Sequence, residues 1–255
     1  MILTTVNFLS ENLGLRSQMN VILPQRTVAD ARSGQPVRYK VLYLLHGLSD
    51  DHTAWQRWTS IECYVEGLDL IVVMPAVARS FYTDMSCGAK YWTFVSEELP
   101  LVVRDLFPVS EKREDTFVAG LSMGGYGAFK LALSHPHRFA AAASFSGALD
   151  VRSMLSNPDP VWQTEMRHIF GDLERVAGGP RDLFTLAVAG AKAGIRPRLF
   201  QYCGKADMLY ADNIRFRDFI KPFGYDFHWE EDGGDHTWPY WDAMVQKALG
   251  WFFKK

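Results

Sequence analysis

Cysteine is scarce in this chain: Cys63, Cys87 and Cys203 are the only three in 255 residues. An odd number at wide spacings suits reduced thiols better than a disulfide framework. A surplus of charge is missing as well, since 27 basic side chains stand against 29 acidic ones, a formal net charge of −2. With Lys and Arg scattered rather than clustered, neither nucleic acid nor an anionic membrane surface is an expected partner. No apolar run approaches the roughly 20 residues of a spanning helix. The opening MILTTVNFLSENLGLRSQMNV sets Asn7, Ser10, Glu11 and Asn12 where a secretory leader carries its apolar stretch. It also lacks a basic start and a small-residue cleavage site, so the expected compartment is the cytoplasm. Repeats and Pro-, Ser- or Gly-rich linkers are absent too, and residues 1–255 read as a single domain.

What is present is an ordinary globular composition, 48% hydrophobic and 22% charged. Apolar runs alternate with helical patterns. VLYLLHG (41–47), LIVVMP (70–75), TFVAG (116–120), FAAAASFSG (139–147) and PRLFQYCG (197–204) read as strands. They are nearly continuous in apolar residues, as parallel strands covered on both faces require. Helical spacing is clearest over 89–107, at Val95, Leu99, Val102 and Leu106. Further helices are expected after Ser122, over 181–193 and 211–222, and from 238 to 252. This alternation predicts an α/β fold, a mostly parallel sheet with helices on both faces. ILTTVNFLS and RSQMNVILP, joined by ENLGL, read as antiparallel edge strands. Residues 148–180 are polar and turn-rich, and read as an irregular excursion over the carboxyl edge of the sheet.

One short stretch carries chemistry. In VAGLSMGGYGAFKLALSHP (118–136), Ser122 sits between Gly120 and Gly124 where a strand gives way to a helix. A serine at such a corner takes a rarely populated backbone conformation, and its neighbours two positions away must be very small. The corner lifts the hydroxyl to the sheet edge and aims the Met123 amide at a developing oxyanion. A helix cap is the plainer reading. A phosphate loop is a poor fit, because no Lys-Ser/Thr follows Gly125 and the spacing is not G-x-G-x-x-G.

A serine nucleophile needs a base, and the base an orienting acid. His135 and His137 lie at the far end of the serine's own helix, about 20 Å away at 1.5 Å per residue. His168 falls in the excursion and reads as a surface residue. His236, in the loop EEDGGDHTW, is the favoured base, with His228 in the strand-like YDFHWE as the alternative. Asp207, just past the strand ending at Gly204, is the favoured acid over Asp235 and Asp212. A second oxyanion donor is expected from LLHGLSDDHTAW, where Gly47 permits a turn and the Leu48 amide can face Ser122. His46 and His52 lack a third spaced ligand, so no metal is expected. Trp55, Tyr82, Trp92, Trp162 and Trp238 are candidates to wall a short acyl pocket.

LLHGLSDDHTAW, YTDM, YWTFVSEELPLVVRDLFP, VAGLSMGGYGAFKLAL, SFSGALD, CGKADMLY and GDHTWPYWD together resemble the tributyrin esterase group of the putative-esterase family. That group is related to esterase D (S-formylglutathione hydrolase), feruloyl and acetylxylan esterases and the antigen 85 mycolyltransferases. The resemblance, over residues 5 to 252, implies an α/β-hydrolase fold and a serine carboxylesterase acting on short-chain acyl esters. It implies Ser122, Asp207 and His236 as the triad, Leu48 and Met123 as oxyanion donors, no cofactor, a small-molecule ester as partner, and a homo-oligomer. Acyl transfer, or thioester hydrolysis of the S-formylglutathione type, uses the same three residues. A non-catalytic ligand receptor is the remaining alternative, disfavoured because all three residues are present.

Overall fold

A computed structural model describes residues 1–253. Eight strands form one sheet: β1 (Ile2–Ser10), β2 (Leu15–Leu23), β3 (Lys40–Leu45), β4 (Leu70–Pro75), β5 (Thr116–Leu121), β6 (Ala141–Phe145), β7 (Arg198–Tyr202) and β8 (Phe227–Glu230). Their order is β1-β2-β4-β3-β5-β6-β7-β8. β1 pairs antiparallel with β2, and β2 antiparallel with β4. Every pairing from β4 through to β8 is parallel. The sheet is mostly parallel, as the strand–helix alternation predicts, and the fold is that of the α/β-hydrolases, as the family resemblance implies.

The apolar runs explain the layering. Along β3, Val41, Tyr43 and Leu45 face one hydrophobic layer, while Leu42 and Leu44 face the other. On the first side lie the helix Met123–Ser134 and its neighbours; on the second, the helix Trp238–Phe252 supplies Trp241, Val245, Leu249 and Phe252. Two-sided burial removes any need for a polar face, hence the unbroken hydrophobicity of β3 to β6. β1 lies at the edge with Ile2, Leu3 and Leu9 exposed. Its turn to β2 is held by Glu98, whose carboxylate accepts from Ser10 Oγ (2.7 Å), Glu11 N (2.7 Å) and Asn12 Nδ2 (2.9 Å).

Two local readings need correction. Over 89–107 the helix contains a π-helical turn, Phe94–Glu98, ahead of Leu99–Leu106. The wider turn changes the phase: Val95, Leu99 and Val103 point inward, Val102 is half-buried, and Leu106 is 52% exposed. The excursion 148–180 is less irregular than it reads, since it holds the helices Val151–Leu155 and Pro160–Phe170. Pro160 takes the first helical position, where no N–H is needed, and Asp159 caps the amides of Val161 and Trp162.

Candidate active site

Ser122 follows β5 directly and has φ +52° and ψ −119°, a strained conformation for a non-glycine residue. The flanking glycines explain how it is tolerated. A Cβ on Gly120 would lie 2.3 Å from Gly124 O, and one on Gly124 would lie 2.5 Å from Leu45 O and 2.6 Å from His46 O. No side chain fits at either position. The helix Met123–Ser134 begins at once, and Met123, as its first residue, has no carbonyl within the helix for its amide.

Asp207 and His236 come from the loops after β7 and β8. Those loops touch through bare backbone, since a Cβ on Gly204 would meet Gly234 O at 2.1 Å. Ala206 N donates to Gly234 O (2.9 Å) and Lys205 N to Asp232 O (2.9 Å). The result is a continuous line of hydrogen bonds. His236 Nε2 lies 3.0 Å from Ser122 Oγ, and His236 Nδ1 lies 2.9 Å and 3.1 Å from the two Asp207 carboxylate oxygens. Asp207 is 5% exposed. Burial alone works to raise its pKa, but hydrogen bonds from His236, Ser146 and the Leu209 amide outweigh that and hold the carboxyl below its ordinary range.

Gly47 and Leu48 follow β3 and line the same cavity as Ser122 and Met123. His46 is buried and fixes this turn: Nδ1–H donates to Gly47 O (2.7 Å), and Nε2 accepts from Val77 N (3.1 Å). Burial, opposed by that Gly47 bond, lowers its pKa to about 4. Both ring nitrogens are thus engaged, which leaves no lone pair for a metal.

The alternatives lie elsewhere. His228 stacks on Phe200 (5.0 Å, 24°) and pairs with Glu230 (3.0 Å). His135 stacks on Trp92 (5.5 Å), and His168 is exposed. Asp235 is exposed and accepts from Thr237 Oγ1. Asp212, in the first turn of the helix Tyr210–Ile220, is paired with Arg215. It does line the cavity, and burial raises its pKa despite Ser153 and Arg215.

The cavity measures about 710 Å³. Of the five aromatics expected to wall it, Trp162 and Trp238 do so. Three do not. Trp55 is buried beneath β3 and donates Nε1–H to Leu45 O (2.9 Å), Tyr82 is fully buried, and Trp92 packs on Lys130 (4.2 Å). Phe81, Met154, Met208, Leu209 and Trp241 line the cavity instead, beside the carboxylates of Asp50 and Asp212. Met208 and Leu209 adjoin Asp207, so their nearness is readable from sequence once the acid is placed. Phe81 carries no such signal: it is 2% exposed, with φ of +48°, and only the packing sets its ring against the cavity.

Among known proteins, the family model described as "Putative esterase" matches residues 10–252. A curated relative, an acetyl esterase from Caldicellulosiruptor saccharolyticus, is 31% identical over 100% of this chain and 99% of its own length. Among solved structures, substrate-bound FphF, a fluorophosphonate-binding serine hydrolase of Staphylococcus aureus, superposes with a TM-score of 0.92 at 34% identity, covering 100% of this chain and 99% of that one. The S-formylglutathione hydrolase FrmB of the same organism, as apoenzyme, reaches 0.88 at 34% identity, with 99% of each chain covered.

Proposed function

The chain belongs to the Putative esterase family and is a carboxylic ester hydrolase, and on that premise we propose that Ser122, His236 and Asp207 form its catalytic triad, acting on short-chain acyl esters. His236 takes the Ser122 proton through Nε2 as Oγ attacks the ester carbonyl. Asp207 holds the imidazole through Nδ1 and stabilises the imidazolium that forms. The Leu48 and Met123 amides receive the oxyanion, a contribution of about 3 kcal/mol per donor. The alcohol departs with the proton from His236, and water activated by the same histidine releases the acid.

The observation that carries this reading is the unbroken contact from Ser122 Oγ through both His236 nitrogens to Asp207. Three residues far apart in sequence have little other reason to converge at one strained serine. Ser122→Ala tests it: hydrolysis of 4-nitrophenyl acetate falls to background while the thermal midpoint stays within a few degrees. Turnover retained in that variant would remove the nucleophile.

FrmB brings a second reading, thioester hydrolysis. The cavity lining disfavours glutathione esters, because Asp50 and Asp212 face it and none of its lining residues is Lys or Arg to meet the tripeptide's carboxylates. Rates on S-acetylglutathione against a neutral thioester of equal acyl length decide between them. Acyl transfer is read from the same assays by adding an alcohol acceptor and measuring acylated product against free acid. No helix among the described residues is long and apolar enough to cross a membrane. A cytoplasmic homo-oligomer is the assembly we propose, and light scattering of the purified protein gives its mass.

A further inference from the structure

YTDM, one of the stretches carrying the family resemblance, supplies no group to the proposed reaction. Its surroundings explain its presence. Phe81 and Tyr82 have φ of +48° and +47°, two adjacent non-glycine residues in the left-handed region. Such a turn persists only where its surroundings over-determine it. Ser80 Oγ accepts from Tyr82 N and Thr83 Oγ1 donates to Phe81 O, and a lysine adds a third anchor. Lys130 is 3% exposed, and its Nζ donates to Tyr82 O (2.8 Å) and Thr83 Oγ1 (3.0 Å), while its head lies 4.2 Å from the centre of the Trp92 ring. Among the described residues it forms no ion pair with a carboxylate. Burial, with Arg181 adding to it, lowers its pKa well below that of an ordinary lysine.

We propose that Lys130 is a positioning residue for the loop bearing the Leu48 amide, acting through Tyr82 and His46. The path is continuous. Lys130 fixes the Tyr82 carbonyl, and the Tyr82 ring crosses Gly127, where a Cβ would approach it to 2.5 Å. Tyr82 Oη then donates to His46 O (2.9 Å), and the His46 ring ties Gly47 O to Val77 N. Gly124 packs against the same His46 carbonyl, which a Cβ there would approach to 2.6 Å. The helix Met123–Ser134, which starts beside Ser122, therefore holds the Leu48 loop at two heights, directly through Gly124 and indirectly through Lys130. Nucleophile and oxyanion donor are set from one rigid element. The same turn sends Phe81 into the cavity wall.

This inference rests on the reading of Leu48 N–H as an oxyanion donor, so its test includes that amide. Lys130→Met keeps the length and removes the donors; Tyr82→Phe removes one hydroxyl and keeps the fold within reach if the lysine variant does not fold. Leu48→Pro removes the amide N–H itself. Expected on 4-nitrophenyl acetate are a fall in kcat of about 10- to 100-fold for Lys130→Met and about tenfold for Tyr82→Phe, with KM within about twofold. Leu48→Pro lowers kcat about 100- to 1000-fold. Adding Tyr82→Phe to Leu48→Pro then costs less than about twofold more, because both act on one group. Wild-type kcat in folded Tyr82→Phe and Lys130→Met, beside a slow Leu48→Pro, overturns the Lys130 relay and leaves the oxyanion reading standing. A full tenfold loss from Tyr82→Phe in the Leu48→Pro background also overturns it, since Tyr82 then acts elsewhere. Wild-type kcat in Leu48→Pro removes the oxyanion reading, and this inference with it.

Discussion

Trp241 and His236 meet nearly at right angles, their ring centres 4.9 Å apart and their planes at 86°. The same indole donates Nε1–H to Ser146 Oγ (3.0 Å), and Ser146 in turn bonds Asp207. An indole nitrogen only donates, so Ser146 must spend its own proton on another acceptor. One buried tryptophan thus restrains both Asp207 and His236, the proposed acid and base. Trp241→Phe keeps a ring beside His236 and loses the donor. kcat for 4-nitrophenyl acetate falls about two- to tenfold, the range of one net hydrogen bond, with far-ultraviolet dichroism unchanged.

Gly124 faces the backbone of β3 with no room for a methyl group. Backbone cannot rotate away as a side chain can. Gly124→Ala costs about 3 kcal/mol or more of stability, a fall in thermal midpoint of about 6 °C or more for a chain of this size. Gly250, with open space around it, takes the same change with little effect. Calorimetry on the two variants checks the contrast.

His46 sets a pH window for stability. Its folded pKa is lowered from 6.5 to about 4, so the unfolded chain binds the proton more readily. Stability is therefore highest above pH 6.5, falls as pH drops from 6.5 to about 4, and levels off below; the total is on the order of 3 kcal/mol. Urea denaturation at pH 7 and pH 4.5 measures it, and His46→Gln flattens the slope between them.

Asp207 acts in a lower window. Its folded pKa is depressed below 3.8, so its stabilising contribution is complete above that value and is lost as pH falls through the folded pKa. Asp207→Asn removes this acid-side loss. It also lowers kcat at pH 7 by about 10³- to 10⁴-fold, because the imidazole loses its tautomer control. Stopped-flow rates on fully folded protein separate the two effects.

Trp162 stands in the cavity wall, edge-on to Phe81 (6.2 Å, 84°), with Nε1–H on Met154 O (2.9 Å). Trp162→Ala opens the wall without touching Ser122, His236 or Asp207. Octanoyl over acetyl ester preference, read as a ratio of kcat/KM, rises about tenfold, the gain from burying about two more methylenes at about 0.8 kcal/mol each.

The sequence was most legible where backbone geometry leaves no alternative. The spacing of Gly120, Ser122 and Gly124 is a steric statement, and the contacts they make are those the motif requires. Asp207 and His236 each lie in a loop just beyond a strand, and the β7 and β8 loops do meet. The aromatics were less legible: Trp55 and Trp162 are equally apolar in sequence, and only the packing sets one under β3 and the other in the cavity. The π-helical turn at Phe94–Glu98 was illegible for a related reason. A single widened turn leaves the residue types unchanged and alters only which of them face inward.

The segment from Ala148 to Pro197 leaves the sheet after β6 and rejoins it before β7, outside the glycine contact that clasps the acid and base loops together. It supplies Ser153, Met154, Asn157 and Trp162 to the cavity wall, whereas Ser122, His236 and Asp207 come from outside it; a change of length there alters the wall from one side and leaves Phe81, Met208 and Trp238 in place.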